Sequence, residues 1–152
     1  MNLSLQEISD RMLINDLLMD YAEAVDSKNF DAWDDIFTPD AFIDYTSLGG
    51  IKGSMPEVKA WIKKAMAQFP MFQHMLGNSR IYLDGDTARA RTICYNPMQL
   101  PDGKGGYQTS TFGFWYNDQM IRTPAGWRIS QRVEEFGYAL NVPEGFEPGL
   151  ID

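Results

Sequence analysis

The spacing of apolar residues changes near the middle of the chain, and this change limits the possible fold more than any other feature. Up to about residue 69 the apolar residues recur every three or four positions, as on one face of a helix. After that point they alternate with polar residues or join β-branched and aromatic residues, a pattern typical of strands. Helices followed by a run of strands predict an α+β fold.

Two capping boxes mark the starts of the longer predicted helices. Ser4 precedes Glu7 by three positions and Ser54 precedes Glu57, so in each pair both side chains can bond to backbone N–H groups at a helix start. The first box predicts a helix to about residue 27, and the second predicts one through EVKAWIKKAMAQF. The expected buried stripe of the first helix comprises Ile8, Met12, Ile14, Leu17, Leu18, Tyr21 and Val25.

The segment between these helices predicts a short helix and a first strand. FDAWDDIF has helical spacing and ends before Pro39, which cannot continue a helix. AFIDYTS, residues 41–47, alternates and ends at Gly49-Gly50, so we expect a strand there.

The second half predicts four further strands. QHMLGNSRIYL, TARARTICYNPMQ, YQTSTFGFWYN and GWRISQRVEEFGYAL are separated by the turn sequences DGD, LPDGKGG and TPAG. We expect residues 1–152 to form one domain, a cone-shaped barrel in which a curved antiparallel or mixed sheet wraps round the long N-terminal helix and leaves a central cavity. Residues 141–152 form a Pro/Gly-rich tail that is either loose or laid across the opening of the cavity.

The composition excludes several classes of partner. A net charge of −8 argues against nucleic acid and anionic membranes as partners. No apolar run approaches the roughly 18–20 residues of a membrane span. The single cysteine, Cys94, fits a reducing cytoplasm. With one histidine and one cysteine, a zinc site built from His and Cys ligands in the ordinary number is excluded, and we expect neither metal nor cofactor.

His74 is the only histidine, and it lies in the apolar stretch AQFPMFQHMLGNSRI. It is either a core residue bonded to a backbone carbonyl or the one neutral-pH proton carrier of an active site. Asp26, at the predicted end of the first helix, is either an exposed helix terminus or a buried carboxylate that needs a donor. An Asp26–His74 dyad would satisfy both residues, because a general-base histidine needs an acceptor to fix its tautomer. Spacing alone leaves these alternatives open.

Other chemical groups carry weaker signals. Cys94 is either a nucleophile or a small core residue, and the latter is commoner in such a sequence. The DAWDD carboxylates have the pattern of a solvated helix face, and no Gly-rich phosphate loop is present. Several tyrosines, including Tyr21 and Tyr45, supply hydroxyls that could hold a carbonyl or phenol in a pocket.

Three segments together resemble a known family. VDSKNFDAW, IDYTS and QHMLGNSRI, in this order, are similar to the scytalone dehydratase branch of the SnoaL-like, nuclear-transport-factor-2-like superfamily and to the related hexachlorocyclohexane dehydrochlorinase. The resemblance covers about residues 8–137. It implies a cone-shaped α+β fold, a trimer, and a catalytic pair in which His74 removes a proton from carbon while Asp26 orients it.

The resemblance also suggests roles for cavity residues. It implies that Tyr45 helps to hold a substrate carbonyl through water, that Ser110 lies in the cavity, and that Arg132 assists a leaving group. Val25, Met98 and Phe112 stand where the dehydratase has a tyrosine, a histidine and an asparagine, so three polar contacts have become apolar. Scytalone itself is therefore not the expected substrate.

The strand that contains Arg132 gives two conflicting predictions. Strict alternation in WRISQRVEEF turns Trp127, Ile129 and Val133 inward and Arg132 outward. The resemblance predicts the reverse, with Arg132 in the cavity and the Trp127 side at a subunit interface, and we adopt the latter.

We therefore expect a cofactor-independent lyase that acts on a small, fairly apolar cyclic compound. An isomerase that uses the same Asp–His pair, and a non-catalytic domain that binds small ligands in the same cavity, are the alternatives.

Overall fold

The helical half and the strand half expected from the sequence are both present in a computed structural model, which describes residues 2–144. The elements, in chain order, are α1 (Leu5–Asp26), a 3₁₀ helix (Phe30–Asp35), β1 (Phe37–Asp44), a second 3₁₀ helix (Thr46–Leu48), β2 (Lys52–Ser54), α2 (Met55–Met66), β3 (Met75–Asp84), β4 (Thr87–Pro101), β5 (Tyr107–Thr123) and β6 (Gly126–Leu140). The predicted α+β class is confirmed.

The six strands form one curved sheet in the order β2-β1-β6-β5-β4-β3. Only the β1–β6 pair is parallel, and the other pairs are antiparallel. The sheet is therefore mixed, and within residues 2–144 its edge strands β2 and β3 do not pair to close a barrel. Its concave face packs on α1 and α2.

The capping boxes are present, but some predicted boundaries are wrong. The Glu7 carboxylate accepts from the Ser4 N–H at 2.7 Å, and Glu57 accepts from the Ser54 N–H at 2.8 Å. β1 begins at Phe37 and includes Pro39, which had been expected to precede the strand. Its pairing with β6 is interrupted between residues 37 and 42, so the missing N–H of proline breaks no regular ladder bond.

The predicted buried stripe of α1 is wrong in its first turns. Ile8 is 44% exposed and Met12 is 63% exposed, whereas Asp10 is 3% exposed. The reason is an ion pair, because Asp10 turns toward the sheet to meet Arg122. From Ile14 onward the stripe is buried as expected.

A β-bulge resolves the two predictions for β6. Gln119 pairs with Gln131 and Met120 pairs with Ile129, so Ser130 is an extra residue without a partner. The extra residue shifts the alternation by one, and Ile129 and Arg132 both face the interior. The expected placement of Trp127 at a subunit interface is wrong, since its side chain is buried within the chain and its Nε1–H donates to Asp10 at 3.1 Å.

The beginning of the predicted tail lies against β5. The Asn141 side chain donates to the Thr109 carbonyl at 2.7 Å. Residues 145–152 of the predicted tail lie outside the described residues. No helix within residues 2–144 is both long and apolar enough to cross a membrane.

Candidate active site

A cavity of about 110 Å³ lies between the helices and the concave face of the sheet. Five residues expected to contact substrate line it, and they come from α1, β4, β5 and the turn after β1: Tyr21, Val25, Tyr45, Met98 and Phe112. His74 also lines it. Cavities of about 150 Å³ take a single six-membered ring, so this one suits a small ring compound.

The end of α1 places Asp26 next to His74, which lines the cavity. The helix stops there because Lys28 adopts a left-handed conformation, with φ of 58°. The Lys28 N–H then donates to the Val25 carbonyl and the Asn29 N–H to the Ala24 carbonyl, which satisfies the last helical acceptors. The chain turns away, and the Asp26 side chain is left pointing toward the start of β3.

Asp26 and His74 are held together by three contacts. The His74 backbone N–H donates to both carboxylate oxygens, at 3.1 and 2.9 Å, and its Nδ1 lies 2.6 Å from Asp26 Oδ1. A carboxylate can only accept, so Nδ1 carries the proton and Nε2 presents its lone pair. The His74 side chain is 7% exposed and that of Asp26 is 24% exposed. The arrangement fixes both the tautomer and the orientation of the imidazole.

Asn96 is the partner of the other ring nitrogen. Its Nδ2 lies 2.7 Å from His74 Nε2. In the neutral tautomer this ring nitrogen accepts a hydrogen bond from the amide N–H. Phe72 pairs with Met98 and Met75 with Tyr95, so the antiparallel register places Asn96 directly opposite His74. The buried Oδ1 of Asn96 has no hydrogen-bond partner. The amide is therefore a half-satisfied group on the cavity wall.

Two tyrosine hydroxyls face each other across the cavity floor. Tyr21 and Tyr45 have their hydroxyl oxygens 2.7 Å apart. Burial raises the pKa of both phenols, that of Tyr45 strongly, so both remain protonated at neutral pH. One of the two O–H groups is used between them, and the other is available as a donor.

Arg132 lies behind this floor and is not among the described residues that line the cavity. It pairs with its cross-strand partner Asp118 through two bonds, from Nε at 2.7 Å and from Nη2 at 2.8 Å. Its guanidinium carbon is 3.9 Å from the ring centre of Tyr21 and 4.0 Å from that of Tyr116. Burial opposes its charge, but Asp118 more than offsets this and holds the Arg132 pKa well above its usual value.

Two other candidate residues also have structural partners. The Ser110 hydroxyl donates to the Asn141 carbonyl at 2.7 Å and does not line the cavity. Cys94 is a fully buried free thiol, and burial raises its pKa, which disfavours the nucleophilic thiolate.

Glu134 and Asn96 line the cavity and were missed from the sequence. The alternation of β4 carried a signal, because Asn96 lies two positions before Met98 and shares its face. In the same way, Glu134 lies two positions after Arg132. Burial raises the Glu134 pKa to about 8. Among residues 2–144, no three His, Cys, Asp or Glu side chains are placed to hold a metal ion.

Comparison with known proteins places this site in context. A family model of the SnoaL-like domain matches residues 6–133. The uncharacterized protein Rv2910c of Mycobacterium tuberculosis is 50% identical over 132 residues, 87% of this chain and 88% of that protein.

Two solved structures share the fold. A hexachlorocyclohexane dehydrochlorinase, LinA Type2, superposes with a TM-score of 0.77 at 19% identity, covering 97% of this chain and 99% of that one. A candidate scytalone dehydratase from Novosphingobium aromaticivorans has a TM-score of 0.73 at 14% identity, covering 92% and 96%. At such identities the likeness shows the fold alone.

Proposed function

This chain belongs to the SnoaL-like domain family, and we propose that it is a cofactor-independent lyase that removes water or a halide from a small, fairly apolar ring compound. The observation that carries the proposal is the 2.6 Å contact between Asp26 and His74 at the cavity wall. Structural neighbours supply a chemical precedent, since one is a dehydrochlorinase and another a candidate dehydratase.

His74 is the proposed base. Its Nε2 takes a proton from a carbon next to a carbonyl or a leaving group, after substrate has displaced the Asn96 amide from that nitrogen. The imidazolium that forms keeps its Nδ1–H bond to the Asp26 carboxylate, whose negative charge stabilises it. A positioned general base of this kind contributes roughly 10²–10⁴-fold to the rate.

The tyrosine pair is the proposed acceptor of the developing charge. The hydroxyl of Tyr21 or Tyr45 that is not used between them donates to a substrate oxygen that becomes negative as the proton leaves. Arg132 helps to stabilise this negative charge without touching the substrate, because its positive charge lies against the face of Tyr21. This replaces direct contact between Arg132 and a leaving group.

The remaining walls set the substrate class. Val25, Met98 and Phe112 present apolar surface in the cavity. A polyphenol would leave its hydroxyls without partners there, which strongly disfavours binding. The proposed substrate therefore has one carbonyl and one leaving group on an otherwise apolar ring.

Hydrogen–deuterium exchange tests the proton abstraction without knowledge of the natural substrate. Cyclohexanone in deuterated buffer should gain deuterium at its α-carbons with the wild-type protein, measured by mass spectrometry. His74→Ala should lower the exchange rate by about 100-fold or more. The matched control is Gln73→Ala, which removes the neighbouring exposed side chain and should keep the wild-type rate.

The outcomes separate the alternatives. Equal exchange by wild type and His74→Ala, with both folded by circular dichroism, would refute the proposed base. Binding of cyclohexanone without exchange would favour a ligand-binding domain. An isomerase would exchange the α-proton but convert candidate substrates to products of unchanged mass, whereas a lyase changes their mass.

The assembly and location are also proposals. The convex sheet face exposes apolar side chains that a subunit contact would cover, namely Met75, Ile93, Tyr95, Tyr138 and Leu140. We propose that they form a homotrimer contact, which light scattering after gel filtration would test against the 17.3 kDa chain mass.

The buried free thiol of Cys94 supports a reducing compartment such as the cytoplasm.

A further inference from the structure

Glu134 is a buried carboxyl group in the cavity that the proposed base and tyrosine pair do not use. It is 9% exposed and lines the same cavity as His74. Among residues 2–144 its carboxyl group has no hydrogen-bond partner, whereas its backbone belongs to the β5–β6 ladder. The bulge at Ser130 is the reason that it points inward, because the extra residue turns Arg132 and Glu134 to the concave face.

The surroundings of Glu134 disfavour its ionisation, chiefly because the group is buried. It lies within electrostatic range of four uncharged groups: Tyr21 from α1, Tyr45 after β1, Cys94 from β4 and Tyr116 from β5. Asp44, at the end of β1, adds negative charge nearby.

Arg132 is the positive charge that would favour ionisation of Glu134. It is already engaged by Asp118 through two bonds, so it offsets the effect of burial only in part. The net result is that the pKa of Glu134 rises to about 8 and most of the group is protonated at neutral pH.

We propose that Glu134 is the acid that protonates the leaving group, so that the substrate class is a cyclic β-hydroxy ketone rather than a halide. The assignment rests on the proposed function, because it needs His74 as the base. It stands on three observations: the group lines the cavity, it is buried, and its carboxyl has no hydrogen-bond partner among residues 2–144. A neutral carboxylic acid in that position has one O–H to donate.

Loss of water requires two proton transfers. His74 Nε2 takes the α-proton, and the electron pair of that bond forms the carbon–carbon double bond as the carbon–oxygen bond breaks. The departing oxygen takes the proton of Glu134 and leaves as water. Transfer of one proton from His74 to Glu134, directly or through solvent, restores both groups. Hydroxide is a strong base and needs this proton, whereas chloride leaves without one.

A pair of substrates with one product tests the assignment. Elimination from 3-hydroxycyclohexanone and from 3-chlorocyclohexanone yields the same cyclohexenone, which ultraviolet absorbance follows after subtraction of the uncatalysed rate. Glu134→Gln should slow loss of water by about 100-fold or more, as expected when a general acid is removed. Loss of chloride should be nearly unchanged.

Glu135→Gln is the matched control. Glu135 is the adjacent, exposed glutamate, which binds Arg91 and Asn117 on the convex face. This variant should leave both elimination rates at their wild-type values. An equal loss of activity in the two variants would show that the change at residue 134 is not specific to the cavity.

The wild-type pH profile gives a second test that does not depend on a variant. Loss of water should decline above about pH 8, where Glu134 ionises, while enzymatic loss of chloride should not. Equal pH profiles for the two substrates, or equal effects of Glu134→Gln on both, would overturn the assignment and leave His74 as base untouched. Failure of the wild-type protein to exchange the α-protons of cyclohexanone would instead remove the proposed function, and this assignment with it.

Discussion

The two ends of α1 each place an aspartate against the sheet, and the difference between their partners separates a structural site from a chemical one. Asp10 accepts bonds from Arg122 at 2.6 and 2.7 Å, from Trp127 and from Gln6. All of these are permanent donors, because arginine and indole do not lose their protons near neutral pH. The site at this end is complete and has no proton to exchange.

The other end of the helix has the opposite character. Asp26 binds an imidazole, whose second nitrogen has a lone pair that can accept a proton from a substrate. The Asn96 beside it has an unsatisfied oxygen, and both His74 and Asn96 line the cavity. The same residue type on the same helix therefore meets permanent donors at one end and the proposed catalytic base at the other.

The largest expected effect is on the rate at the second site. Asp26→Asn replaces the acceptor of the Nδ1–H, so His74 loses both its fixed tautomer and the charge that stabilises its imidazolium. Cyclohexanone exchange should fall by about 100-fold or more. The single histidine gives one pair of imidazole ¹⁵N signals. These should report a protonated Nδ1 in the wild type and a mixture of tautomers in the variant.

Asp16→Asn is the control, since Asp16 is exposed on the same helix. It should retain the wild-type exchange rate and the wild-type ¹⁵N signals. An unchanged tautomer in Asp26→Asn would mean that the carboxylate does not orient the ring, and the contrast between the two aspartates would fail.

The next effect is on stability at the first site. Asp10→Asn leaves Arg122 with a weaker acceptor and should lower the free energy of unfolding by about 1.5–3 kcal/mol, the usual contribution of a hydrogen bond to a charged group. Denaturant titration measures this value, again against Asp16→Asn. The exchange of cyclohexanone should stay at the wild-type rate, and a large loss would show that the two ends of the helix are coupled.

The smallest effect is the pH dependence of that stabilisation. The Arg122 bonds lower the Asp10 pKa to about 2. A carboxyl with a depressed folded-state pKa contributes stability above its ordinary value of 3.8, and this contribution is lost as the pH falls toward 2. The difference in unfolding free energy between wild type and Asp10→Asn should therefore shrink from pH 4 to about 2. A constant difference would mean that the carboxylate charge is not what stabilises this site.

Part of the candidate site was predictable from the sequence because its residues are scarce or regularly spaced. One histidine left a single candidate base, and the apolar spacing placed Asp26 at a helix end. Asn96 and Glu134 are neither scarce residue types nor part of an apolar pattern, and either could face solvent on an isolated strand. Their place in the cavity follows from pairing with distant segments, opposite His74 in one case and beyond the Ser130 bulge in the other.

The sequence by itself determined the elements and their order: helices opened by the Ser4 and Ser54 capping boxes, then strands divided by turns. These features depend on neighbours a few positions apart, which interact in almost any context. Only the tertiary structure decided that Asp10 is buried while Met12 is exposed, that β1 pairs in parallel with β6, and that Arg132 and Glu134 face inward. These outcomes depend on strand register and on charged partners more than a hundred residues away, which meet only when the whole sheet has formed.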